Sequence, residues 1–131
     1  MALPTWLDKA ERYLESATLL HAAGDYDSCV SRAYYATRYL CLYLLEQEGL
    51  NVDRHWQHNT VVGTTIARAR NKQWLRRIIM AGQADFAQSL NHLLGLRGDA
   101  DYDLNAVTAR HAQRALAFTE ALRQAVKENY P

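Results

Sequence analysis

The sequence is poor in the residues that cross-link, kink or punctuate a chain: two cysteines, two prolines and six glycines in 131 residues. Neither Cys29 nor Cys41 belongs to a CxxC or a His/Cys cluster, which argues against a structural zinc site. If both lie on one helix, a rise of about 1.5 Å per residue sets their Cα atoms roughly 18 Å apart, too far for a disulfide. No apolar run approaches the ~18 residues of a bilayer span. The N-terminal Met-Ala-Leu-Pro-Thr-Trp-Leu-Asp lacks the basic start and long apolar stretch of a secretory signal, so the expected compartment is the cytoplasm. There is no GxxxxGK[ST] phosphate loop, no GxGxxG and no HExxH. Ser28 and Ser31 lack the strand–turn–helix setting of a nucleophile elbow. A net charge of +1 supplies no global field to draw a polyanion.

What remains is an ordinary globular composition, 49% hydrophobic and 22% charged, expected to form a single domain over residues 1–131. Strand-like alternation is absent and helical spacing is pervasive. Thr5, with Asp8 three residues on, starts a helix after Pro4; Trp6, Ala10, Tyr13, Leu14, Ala17 and Leu20 share its face until Gly24. A second helix runs from Asp25 or Asp27 to Gly49. Its main stripe includes Tyr26, Val30, Ala33, Tyr34, Thr37 and Cys41. A second stripe carries Tyr35, Tyr39, Leu42 and Tyr43, which marks a helix central to a bundle that also borders a dimer contact or a cleft. Residues 51–56 read as a loop, and a third helix covers Asn59 to Arg70. Trp74 to Ile79 form a short helical turn, a fourth helix spans Ala84 to Arg97, and the last begins near Thr108 with His111, Ala115, Phe118, Leu122 and Ala125 inward. The expected fold is all-α, an antiparallel up-and-down bundle of four to five helices.

Arg97 stands where a core residue belongs. Phe86, Leu90, Leu93 and Leu94 form an apolar stripe that runs into this guanidinium, and Gly98-Asp99-Ala100-Asp101-Tyr102-Asp103 follows at once. A guanidinium directed inward must be paired or must line a wet cleft. The alternative is a cap: cations suit a helix C-terminus and Gly98 suits its C′ position. Phosphodiester chemistry needs a cation for the developing charge and a group that moves protons. Arg97 supplies the first; Tyr102, with an ordinary pKa of about 10, is a poor base. Arg68, Arg70, Lys72, Arg76 and Arg77 crowd into ten residues free of acids, either a solvated face or a polyanion contact. His55 and His58 lack a third ligand at helical spacing and read as surface or capping residues; no metal site and no cofactor is assigned.

Ser31-Arg32-Ala33-Tyr34-Tyr35-Ala36, preceded by Gly24-Asp25-Tyr26-Asp27-Ser28, resembles the second-helix signature of the HEPN domain, in its branch of small prokaryotic proteins. Gln57-His58-Asn59-Thr60-Val61 falls where that branch often has a Lys-Thr-His-Ser-Gly-Val-like segment. Arg97 through Asp103 is similar to its Arg-x-x-x-Asp-Tyr-Asp end. The resemblance implies a homodimer with the downstream motifs facing across a cleft. It also implies RNA cleavage or nucleotide binding, often in toxin–antitoxin pairs with a small nucleotidyltransferase. Ribonuclease members carry Arg, four to six residues, then His; here Tyr102 takes the histidine position and Leu104 that of a following tyrosine. Three readings stay open. One is a dimer that binds RNA, a nucleotide or a partner protein through Arg97, Asp101 and Asp103, with Arg32, Tyr35, Arg76 and Arg77 as further contacts. Another is a metal-independent ribonuclease toxin using Arg97 with Tyr102 or an aspartate. The third is a purely structural module in which Arg97 only pairs with Asp101 or Asp103.

Overall fold

The computed structural model describes residues 3–103 and 107–131, and the regular structure among them is all helix. The order is α1 Trp6–Ala22, α2 Tyr26–Gln47, α3 His58–Ala69, α4 Gln73–Arg76, α5 Phe86–Tyr102 and α6 Ala109–Asn129. Five of these are full helices and α4 is a single turn, in keeping with the bundle expected from the spacing. None is long and apolar enough to cross a membrane.

Local chemistry sets the boundaries. The Thr5 hydroxyl accepts the Asp8 N–H while the Asp8 carboxylate accepts the Thr5 N–H, a reciprocal cap at the start of α1. Gly24, at φ 79°, ends that helix in a left-handed turn: its N–H bonds to the His21 carbonyl and the Asp25 N–H to that of Leu20. Asp25 then caps α2 by accepting the Ser28 N–H, so two residues suffice to reverse the chain.

Helix α2 is the hub, packed on α1, α3, α5 and α6. Val30, Ala33, Leu40, Leu44 and Leu45 are fully buried there, against Leu90 and Leu93 of α5 and Phe118 and Leu122 of α6. Truncating one of these leucines to alanine removes about 2–5 kcal/mol through lost transfer energy plus a cavity. Thr37 and Thr119 satisfy each other across α2 and α6 at 3.0 Å, which removes the penalty for burying two hydroxyls. Both cysteines are buried and unbridged, and burial pushes each thiol up to about 11.

Two expectations need correction. Helix α5 does not stop at Arg97 but continues through Gly98 to Tyr102. Gly98 does not adopt a positive φ. Ala100 packs on the core, Arg97 pairs with Asp101 one turn on, and the Asp103 N–H bonds to the Asp99 carbonyl. These contacts outweigh the roughly 1 kcal/mol cost of a helical glycine and the unfavourable placing of acids at a C-terminus. His111 is not a core residue: its Nδ1 accepts the Thr108 N–H and caps α6. The second stripe of α2 packs on α1, where Tyr35 and Tyr39 meet Tyr13 and Tyr39 stacks on Trp6 at 5.6 Å, and it also borders a groove.

Candidate functional site

Arg97 reaches its position because α5 overruns Gly98. The helix carries the guanidinium to the edge of a cleft of about 440 Å³ lined by Gln57, His58, Asn59, Leu94 and Arg97. Its side chain is only 13% exposed. One Nη meets Asp101 at a loose 3.4 Å, and the guanidinium lies 5.6 Å from the Tyr34 ring and 5.7 Å from the Tyr102 ring. Its Nε is buried and, among the described residues, bonded to nothing. Burial disfavours the cation, but Tyr35, Tyr102 and Asp101 together outweigh that and hold the pKa above its ordinary value. Arg97 is therefore a permanent charge with unused donor capacity. That excludes a simple capping role, because the helix has another turn to run.

The opposite wall is the start of α3. Gln57 occupies the N-cap without a side-chain bond, and the first turn holds no acid. The free amide N–H groups of a twelve-residue helix thus open beside Arg97, at the positive end of its dipole.

His58 is the residue that sequence reasoning misplaced. The Tyr34 hydroxyl lies 2.6 Å from its Nδ1 and Arg38 Nη1 lies 3.4 Å from the same atom. Burial pushes Tyr34 up to about 12, with Arg38 and Arg97 opposing, so the phenol keeps its proton. Arginine can only donate. Two donors converge on Nδ1, and the network therefore assigns Nδ1 as acceptor and leaves the hydrogen on Nε2. The ring's pKa is lowered by burial, then by Arg97 and Arg38, against a smaller opposing pull from Asp101. His58 is consequently neutral at pH 7 and presents an N–H, a donor for an anion and not a base.

Arg38 builds the frame. It is 7% exposed, and its Nη2 donates to the carbonyls of Trp56 at 2.6 Å and Arg54 at 3.2 Å. A buried cation thus fixes the α2–α3 connection that carries His58 into place. The signal was available: Arg38 follows Tyr34 by four on the buried stripe of α2, the same violation that singled out Arg97.

The family model for the HEPN domain matches residues 3–129, nearly the whole chain. The chain belongs to the HEPN domain family. Comparison with curated proteins finds no match. Within this HEPN domain, the residues singled out in the sequence are brought together only in part. Arg97, Asp101 and Tyr102 meet on α5, although Tyr102 is 78% exposed, its ring 5.7 Å from the guanidinium. Tyr35 adjoins His58, with ring centroids 5.9 Å apart. Exposed Arg32 lies over Tyr13 at 5.0 Å and lines a neighbouring groove with Asp101. Asp103 is exposed just past the helix end. Arg76 donates to the Arg70 carbonyl at 2.7 Å, just past the far end of α3 and about 18 Å along its axis from His58, and Arg77 follows it at the end of α4. His55 precedes α3, so the helical spacing that would pair it with His58 is not realised; its Nε2 accepts from Arg54 instead. Leu104 lies outside the described residues.

Proposed function

We propose that this HEPN domain binds a phosphate of RNA or of a nucleotide in the Arg97 cleft, acting as a cytoplasmic homodimer. The observation that carries the reading is the guanidinium of Arg97: nearly buried and, among the described residues, held by one loose carboxylate with its Nε unbonded. A phosphate accepts from such a group in the bidentate fashion that a single distant aspartate oxygen does not. The His58 Nε2–H and the amides opening α3 supply neutral donors on the opposite wall. The fitting test is binding of a fluorescein-labelled single-stranded RNA. Arg97→Met lowers affinity at least tenfold, and unchanged affinity overturns the reading. Arg76 and Arg77 belong to the same proposal as outlying contacts for a longer strand. Reversing both to glutamate flattens the salt dependence for long RNA and leaves short oligomers unaffected.

A ribonuclease is the weaker reading. The site offers charge stabilisation, but His58 has its Nδ1 engaged and its Nε2 protonated, while Tyr102 is too weak a base to replace histidine. Cleavage of total RNA by the purified protein is accordingly slow, indifferent to EDTA and abolished by Arg97→Met. Dimerisation and partnership with a small nucleotidyltransferase rest on the family. Light scattering at twice the 15.0 kDa chain mass supports the first. Co-purification with the product of the adjacent open reading frame supports the second.

A further inference from the structure

A second groove, of about 390 Å³, runs between the start of α1 and the α2–α3 connection. Gln57 and His58 line both this groove and the Arg97 cleft, so the two adjoin at the His58 side chain. Its floor is aromatic: Trp6 stacks on Tyr39 with planes 10° apart, and Tyr35 and Trp56 flank them. Its charge is of one sign. Lys9 lies 4.9 Å over the Tyr39 ring, Arg54 lies on the rim, and none of the lining residues is acidic. The nearest carboxylate in the connection, Asp53, is turned to the His55 N–H at 2.8 Å. The far wall is rigid because buried Arg38 ties down the carbonyls of Arg54 and Trp56.

We infer that this groove is a base-stacking subsite for single-stranded nucleic acid, holding a base next to the phosphate seated at Arg97. Aromatic faces interleaved with cations and free of acids fit a ligand that alternates π-surface with negative charge, and stacking on such a platform tolerates any base. A strand is favoured over a free nucleotide because two shallow grooves lie side by side at His58, whereas small-molecule sites enclose most of their ligand. The inference rests on the phosphate-binding reading above, and its test separates the two.

The experiment compares a labelled oligoribonucleotide of about ten residues with an abasic ribose-phosphate oligomer of equal length. Wild-type protein binds the RNA at least tenfold more tightly than the abasic strand. Trp6→Ala lowers RNA affinity to the abasic level, while Trp6→Phe retains most of it. Equal binding of the two oligomers by wild type, with both lost in Arg97→Met, overturns the stacking subsite and leaves the phosphate seat standing. A loss confined to Trp6→Ala, with Arg97→Met unaffected, overturns the seat and leaves the groove. Adenosine monophosphate competing as tightly as the oligomer overturns the strand in favour of a mononucleotide site. The wild-type comparison of oligomers decides the matter even if Trp6→Ala fails to fold.

Discussion

Two arginines approach Tyr34, and they respond oppositely to the same substitution. In Arg97→Met the losses are small: an i,i+4 ion pair at 3.4 Å is worth about 0.3–0.5 kcal/mol, and two cation–π contacts near 5.6 Å add about 0.5 kcal/mol each. Against them stands the buried Nε, whose unsatisfied desolvation costs about 1–3 kcal/mol and disappears with the guanidinium. The balance lies between about 0.5 kcal/mol of loss and about 1.7 kcal/mol of gain, a melting shift of no more than about 6 °C for a domain this size. In Arg38→Met two part-buried backbone carbonyls lose charge-assisted donors, at about 1.5–3 kcal/mol each. That variant loses about 3–6 kcal/mol. Urea unfolding followed by circular dichroism, with equal m-values confirming a shared transition, measures both. If Arg97→Met loses more than about 2 kcal/mol, Arg97 is a structural strut and the argument from its unused donor fails.

The remaining predictions concern protons, thiols and a loop anchor. Because the folded-state pKa of His58 is depressed, the unfolded chain binds the proton first as pH falls below its ordinary value of about 6.5. His58 therefore contributes a loss of stability that begins near pH 6.5 and grows until the folded-state pKa is passed. Urea titrations at several pH values register it, and His58→Gln removes it; an identical pH profile in the variant refutes the assignment. Cys29 and Cys41, with thiols near 11 and no access, stay unlabelled by iodoacetamide in the folded protein and react only after unfolding. Asp27→Ala removes the 2.8 Å bond from the Val107 N–H, the tie between α2 and the segment that enters α6. It accelerates hydrogen exchange at Val107 and lowers stability by about 1–2 kcal/mol, and unchanged exchange there shows the bond to be dispensable.

Periodicity and punctuation were enough to read the bundle: the Thr5–Asp8 cap, the Gly24–Asp25 reversal and the apolar stripes of α2 and α6 are local facts, legible because helix physics is local. The lone guanidinium at the end of the α5 stripe was legible for the same reason, as a violation of a periodic pattern. The extent of α5 was not. Gly98 and the acids after it favour a stop by every local rule, and only contacts made in three dimensions, by Ala100 with the core and by Arg97 with Asp101, carry the helix onward. The site itself was decided at the tertiary level. Tyr34, Arg38, His58 and Arg97 come from three helices, and no spacing in the chain relates Nδ1 of His58 to the phenol that engages it from 24 positions away. Whether an imidazole acts as acid, base or donor depends on which of its nitrogens is already occupied. That is settled by the packing of α2 against α3, and a sequence records the imidazole without recording its neighbours.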